Sequence, residues 1–579
     1  MSKVLVPSHW FERPRVSAML AAVLIAIGAV RIVSVLPIYN QTYDEPSHLA
    51  GGIEAVQRGT YTYESLHTPL ARSMIAVGPY LDGARLTGHT DVWEEGNTLL
   101  YGRGRYVRTL VLARLGILPF FILACVTLYF WTRRSFGDGP AMLSLLLFST
   151  TPPILAHSGV ATTDMALTAT LFLAVAAFAD WLDRPSIRRA MWSGAALALA
   201  VLCKISALIF FPLAAASAVI LKLVLERRRT ADAEPRPRTP IAQWVKTAAV
   251  GLVTTSFVVW AGYRFSTHAL LDPAGNPALV TAYLNRLVGT QGWLHDAAFA
   301  VARFPYFPAP ELFLGFGAAA FESTRGRIAY ILGESRFGGW WYFFPVALAF
   351  KTPAAFLILW VTGVVASLRA AWARRQWRYV LPLAVVGAIL VVSMPTKIQI
   401  GLRHVLSVYP FLALTAGIGA WALATATRAR PLAVGSLAVL LCWQLWSTTR
   451  AHPDYLAYFN EMAGDHPERI LLDSDLDWGQ DLWRLDRALR ARRIDSVRMV
   501  YWGTADPRRH LAAKVDWLQP GRPHAGWVAA SLYPMYGDSA GKWNWLRDRQ
   551  PVERVGKSIN LYFLTPAAAD SAAAGLAPH

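Results

Sequence analysis

Long apolar runs separated by short polar or basic breaks fill most of the first 449 positions of the chain. The runs lie at 17–37, 109–131, 140–156, 165–182, 190–203, 205–223, 245–263, 342–368, 379–394, 405–424 and 432–449. A helix needs about twenty apolar residues to cross a bilayer, so the pattern predicts an α-helical multi-span membrane protein with about eleven transmembrane helices. Two longer polar stretches, 38–108 and 264–341, interrupt the series, and 230–240 is a charged, proline-rich linker between two helical blocks. After 449 the rhythm changes. Short β-rich runs at 469–472, 496–502, 526–532 and 559–564 alternate with a charged helical stretch at 480–493. That alternation predicts a small α/β domain over 450–579 beside a transmembrane domain over 1–449, with an Ala-rich end, 566–579, that frays.

Charge sets the orientation. With the N-terminus (Lys3, Arg13, Arg15) in the cytoplasm, five basic clusters fall on that side: Arg133 and Arg134; Arg184, Arg188 and Arg189; Arg227 to Arg229 with Arg236 and Arg238; Arg374, Arg375 and Arg378; and Arg428 with Arg430. The outer face then carries the loop 38–108, the turn 157–164, the turn at Lys204, the loop 264–341, the turn 395–404 and the C-terminal domain. A net charge of +19 would suit a nucleic-acid binder, but basic clusters between apolar runs are an orientation signal, so nucleic acid is excluded as a partner. Hydrophobic residues make up 54% of the chain and charged ones 16%, the balance of a membrane protein. Cys125, Cys203 and Cys442 all lie in apolar runs, which excludes a disulfide framework or a zinc site. The first run lacks a small-residue cleavage site and reads as an uncleaved signal anchor.

Candidate chemistry gathers on the outer face. The stretch Tyr43-Asp44-Glu45-Pro46-Ser47-His48 puts two acids where the first span emerges, so Asp44 is either a general base for an acceptor hydroxyl or the cap of a following helix. His67 and Arg72 flank Pro69, and Arg103, Arg105 and Arg108 crowd the return to the second span; these arginines either fit an anionic lipid headgroup or snorkel to lipid phosphates. Asp164 is a helix cap or a second acid of the same site. The turn 395–404 carries Lys397, Arg403 and His404 against the positive-inside trend, and such cations suit a lipid-linked phosphate. The acids from Asp473 to Asp481 resemble a calcium loop, but the glycine and closing glutamate are misplaced; a capped helix start, with Trp478 free to stack on a sugar ring, is the alternative.

Several of these elements, taken in order, resemble the GT-C class of membrane glycosyltransferases, and within it the protein O-mannosyltransferase-like family (glycosyltransferase family 39) and the lipid-A aminoarabinose transferases. They are the Asp-Glu pair after the first span, His67-Thr68-Pro69-Leu70, Thr162-Thr163-Asp164, and Ile400-Gly401-Leu402-Arg403-His404 followed by Tyr409-Pro410-Phe411. Tyr458-Phe459-Asn460-Glu461 and the run 472–481 resemble a bacterial extension of that family. The resemblance implies a GT-C fold and transfer of a sugar from a polyprenyl-phosphate donor to an extracytoplasmic acceptor, with inversion, in a bacterial inner membrane. It implies Asp44 as the catalytic acid, Glu45 as its partner, Asp164 as the second acid, and Arg403 and His404 near the donor phosphate, with Lys397, Arg72 and His67 as further phosphate candidates. No cofactor is implied, although Asp44, Glu45 and Asp164 together can hold a divalent cation. The aminoarabinose transferases carry a lysine where this chain reads Leu66-His67-Thr68-Pro69, so that phosphate contact or the donor differs. The C-terminal domain also differs from that of the eukaryotic mannosyltransferases.

The rival class is a lipid-linked sugar flippase without transferase activity. A translocation path needs charges at the middle of its helices, whereas Asp44, Asp164, Lys397 and Arg403 fall at their outer ends, and no internal repeat of a duplicated transporter is present.

Overall fold

A computed structural model describes residues 14–227, 240–272, 277–427, 429–538 and 540–574. Lys3 and Arg13, Arg228, Arg229, Arg236, Arg238 and Arg428, the linker up to residue 239 and the end beyond residue 574 lie outside the described residues.

All eleven apolar runs are helical. Among the described residues eight helices are long and apolar enough to span: Arg15–Val35, Tyr106–Phe136, Asp164–Asp183, Ala207–Leu225, Ile241–Gly262, Ala354–Arg374, Leu402–Ala424 and Arg430–Arg450. Asp138–Ser149 and Pro152–Ser158 form a further apolar pair, a broken span or a re-entrant loop, bent by 63° where Pro152 and Pro153 cannot donate to the preceding turn. The runs 190–203 and 379–394 form the shorter helices Ile187–Cys203 and Leu381–Ser393. Pro353 breaks the run 342–368 into Phe343–Lys351 and Ala354–Arg374.

Burial ranks these helices. The most apolar 18 residues of Asp164–Asp183 and Leu402–Ala424 are 72% and 89% buried, so these helices form the centre of the bundle. Both begin at the same end, one with Asp164 and the other with Leu402 followed by Arg403. The loop 38–108 folds there as three helices, Glu45–Gln57, Pro69–Leu81 and Val92–Tyr101. They pack closely: a Cβ on Gly52 would sit 2.1 Å from the Arg72 carbonyl oxygen, and one on Gly96 2.2 Å from that of Pro46. The loop 264–341 contributes helices Pro277–Val288, Trp293–Ala302 and Pro310–Arg325 and the antiparallel hairpin of β1 (Ile328–Ile331) and β2 (Glu334–Phe337).

The C-terminal region holds a five-stranded mixed sheet of order β4-β3-β5-β7-β6, made of β3 (Ser496–Val500), β4 (Lys514–Trp517), β5 (Gly526–Ser531), β6 (Glu553–Val555) and β7 (Ile559–Leu564). β3 pairs in parallel with β4 and β5, and β7 pairs antiparallel with β5 and β6. Helix Leu482–Ala491 packs its leucines against this sheet. The expected strand at 469–472 is absent; a short turn, Pro467–Arg469, leads there into irregular chain. Residues 451–481 pack into the transmembrane body instead, with Tyr455, Leu456, Ile470, Leu471 and Trp478 in its core. The stretch expected to fray is helical over Pro566–Ala574.

Candidate active site

Asp44 precedes helix Glu45–Gln57 but makes no side-chain cap bond. Its carboxylate is ion-paired with the Arg403 guanidinium. The backbone around it is held by the C-terminal region: Tyr43 N donates to the Trp478 carbonyl at 3.0 Å, and Thr504 Oγ1 donates to the Tyr43 carbonyl at 2.9 Å. Asp44 is 23% exposed, so solvent reaches a carboxylate whose position is fixed on both sides.

Arg403 follows Gly401, whose φ of 136° turns the chain into the tight helical turn Leu402–Val408. That turn aims the guanidinium over the Trp478 ring, 4.4 Å from its centroid, and to within 3.9 Å of Asp164 Oδ2. Nε has no partner. Asp164 opens helix Asp164–Asp183 and accepts from Lys204 Nζ at 2.5 Å. Two carboxylates and two cations thus meet in one network, with His404 in the field of Lys204 and Arg403. Lys204 was not among the expected site residues, although a lysine at the break between two apolar runs is itself a signal of function.

Four expected site residues stand elsewhere. Glu45, expected beside Asp44 in catalysis, is fully buried and turned the other way. Its oxygens accept from Arg114 Nε and Nη2, both at 2.7 Å, from Thr42 N at 2.7 Å and from Ala161 N at 2.8 Å. With its acceptors used, Glu45 ties the outer loop to the turn 157–164. Arg114, inside the second apolar run, is the partner that the sequence reading overlooked. Arg72 is buried behind Gly51, donating to the Glu64 carbonyl at 3.1 Å and lying 3.4 Å from its carboxylate. His67 Nδ1 lies 3.1 Å from the same carboxylate, and its ring meets His48 edge-on at 4.7 Å. Against the opposing effect of burial, His67 and Arg72 hold Glu64 well below the usual carboxylate range. Burial pushes His48 down to about 3, so it is neutral near neutral pH. Lys397 is exposed, packs beside Gly326, and makes no ion pair among the described residues.

The acids of the run 473–481 diverge, so the calcium-loop alternative has no structural counterpart. Asp475 accepts from Leu402 N at 3.1 Å, Asp477 from Tyr533 N at 2.9 Å, and Asp481 from Ser558 Oγ at 2.8 Å. Lys351 Nζ pins the segment through the carbonyls of Leu456 at 2.8 Å and Asp475 at 2.5 Å. Trp478 is buried beneath Arg403 rather than free to stack on a ligand. With Glu45 committed to Arg114, the three acids also form no metal cage; among the described residues no group of three or more His, Cys, Asp or Glu is arranged for a metal.

Residues 110–261 match the dolichyl-phosphate-mannose-protein mannosyltransferase family. No curated protein matches the chain by sequence. Among solved structures, the Saccharomyces cerevisiae protein O-mannosyltransferase Pmt1-Pmt2 complex bound to the sugar donor aligns over 76% of this chain and 90% of its own, with TM-score 0.50 and 11% identity. The chain has the GT-C fold. ArnT from Cupriavidus metallidurans bound to undecaprenyl phosphate aligns over 93% of this chain and 97% of its own, with TM-score 0.48 and 12% identity. The archaeal oligosaccharyltransferase AglB from Archaeoglobus fulgidus, in complex with an inhibitory peptide and a dolichol-phosphate, aligns over 91% of this chain and 70% of its own, with TM-score 0.43 and 11% identity. The chain is a membrane protein with the GT-C fold, and the candidate site lies at one end of its helical bundle.

Proposed function

We propose that this protein transfers a sugar from a polyprenyl-phosphate donor to an extracytoplasmic acceptor, with Asp44 as general base. The observation that carries the reading is the Asp44–Arg403 pair, a solvent-reachable carboxylate against a buried guanidinium. Arg403, Lys204 and His404 meet the donor phosphate, and the polyprenyl chain lies among the spans. The acceptor oxygen attacks the anomeric carbon from the face opposite the phosphate. Its proton passes to Asp44 as the bond from that carbon to the phosphate oxygen breaks, and polyprenyl phosphate leaves with its charge balanced by the cations. The phosphate competes with Asp44 for Arg403, so donor binding loosens the pair and frees the base for the acceptor. Asp164 keeps Lys204 and Arg403 on the donor side. Two fixed cations do the work of a metal on a monophosphate leaving group, so turnover continues in chelator.

The protein sits in a bacterial inner membrane, N-terminus in the cytoplasm and C-terminal region outside, as the distribution of its basic clusters directs. The test is release of free polyprenyl phosphate from a panel of polyprenyl-phosphate sugars by the protein in nanodiscs. Release by the parent with one donor, and none by Asp44→Asn, supports the reading. Equal release by the variant removes Asp44 as base, and translocation of lipid-linked sugar without release from any donor turns the reading to a flippase.

A further inference from the structure

We infer that the partly exposed surface beside Asp44 that carries Tyr43, Arg327, Asp473 and Tyr533 is a carbohydrate subsite that holds a glycan acceptor. The inference rests on the transferase reading for the direction in which the acceptor hydroxyl points.

Three chain segments build the surface. Tyr43, next to the base, stacks on Trp502 with ring centroids 5.0 Å apart and planes 28° apart, and Trp502 stacks on Tyr533 at 4.2 Å and 19°. Trp93 closes the near end, edge-on to Tyr43 at 5.3 Å. Inter-ring packing fixes the ladder without a ligand. Both tyrosines are partly exposed, and neither phenol hydroxyl meets a hydrogen-bond partner among the described residues. The Trp502 indole N–H is buried and also without a partner.

Asp473 is the acid of this surface. It stands in the left-handed region at φ 50°, a conformation that side chains other than Gly, Asn and Asp rarely adopt. One oxygen accepts from Ser474 N at 2.7 Å and the other has no partner among the described residues. Burial, aided by Asp44 and opposed by Arg403, pushes its carboxyl up to about 7, so it acts on the same space as the catalytic pair. Arg327, with its side chain 57% exposed, is the cation of the surface. Asp473 and Arg327 are the charges that act on both the Tyr43 and the Tyr533 hydroxyls, and Arg327 acts on His404 as well.

This inventory suits a sugar. A pyranose offers C–H faces to aromatic rings and adjacent hydroxyls that pair with a carboxylate and a guanidinium. A lipid acceptor needs a continuous apolar groove, whereas here the charges of Asp473 and Arg327 stand beside the aromatic rings. The C-terminal region therefore selects the acceptor, contributing Asp473, Trp502 and Tyr533, while the outer loops contribute Tyr43 and Arg327.

The experiment uses the full chain in nanodiscs. Binding is read without donor on a defined glycan array, and the best oligosaccharide is titrated by tryptophan fluorescence against the parent, Asp473→Asn, Tyr533→Ala and Tyr533→Phe. Asn tolerates the left-handed backbone, and Phe keeps the stack, so two of the variants retain the fold. The expected result is binding whose Kd rises at least tenfold in Asp473→Asn and Tyr533→Ala. An array with no bound glycan overturns the subsite, as does binding that these variants leave unchanged. Release of polyprenyl phosphate is measured separately. Glycan binding through these residues with no donor consumed defeats the transferase reading and keeps the subsite; donor consumed with only a peptide or lipid acceptor does the reverse.

Discussion

Arg403 is ion-paired with Asp44 across 359 positions of sequence, and the same guanidinium stands 3.9 Å from Asp164. One planar cation, itself at the start of the most buried span, therefore joins the start of the first outer helix to the start of the second most buried span. Arg403→Ala is expected to lower donor-dependent turnover by about a hundredfold, the scale of losing a charge-assisted contact to a leaving group. Arg403→Lys is expected to recover only part of it, because an ammonium lacks the planar group that stacks over the Trp478 ring and holds the N–H donor in place between the acids. Steady-state release of polyprenyl phosphate checks both, and a Lys variant at full activity would show that charge alone suffices.

Lys204 bonds Asp164 yet keeps a fifth of its side chain exposed, so its charge remains accessible to a ligand. Lys204→Met is expected to raise the donor KM about tenfold or more, with a smaller change in melting temperature. Donor titrations on the purified variant measure this; an unchanged KM removes Lys204 from the phosphate site.

The Glu45–Arg114 pair predicts a structural effect. Both side chains are fully buried, and removing one leaves the other charge without its partner. Arg114→Met and Glu45→Gln are each expected to destabilise the protein by about 3–5 kcal/mol, and the double variant by less than their sum. Thermal unfolding in nanodiscs gives the cycle. Additive losses would show that the two residues act independently.

Asp477 makes stability depend on pH. It is buried, and burial pushes its carboxyl up to about 8, against the pull of backbone N–H donors from Tyr533 and Gly479. The unfolded chain loses this proton near pH 4, whereas the folded chain keeps it to about 8. Stability from this group is thus complete below pH 4 and falls as pH rises to about 8. Asp473, raised to about 7, adds the same sign. The unfolding temperature of the C-terminal region is expected to fall between pH 5 and pH 8, and Asp477→Asn should flatten the slope. A melting temperature that climbs over that interval would contradict the assignment.

Several elements of the candidate site were legible because they are local. The Asp44-Glu45 step after the first span, Asp164 at a helix start and Arg403 in a basic outer turn are each readable from polarity against an apolar background. What failed was the assumption that neighbours in sequence share a task. Asp44 and Glu45 are adjacent, but helical geometry sends their side chains apart, one to Arg403 and the other to Arg114. Lys397 and Arg403 lie in one turn, yet Gly401 at φ 136° separates the exposed lysine from the buried arginine. The division at residue 449 missed that 451–481 packs into the membrane body, because irregular chain held by Lys351 and by Asp475 has no periodicity to read.

The sequence by itself determined the helices and the membrane setting, since the length and polarity of each apolar run meet a bilayer of fixed thickness one segment at a time. Tertiary structure alone decided which charges meet. Arg403, Lys204 and Arg114 could each have balanced several acids, and only the packing of distant helices brings each within a few ångströms of its partner, where low dielectric makes that choice energetically decisive.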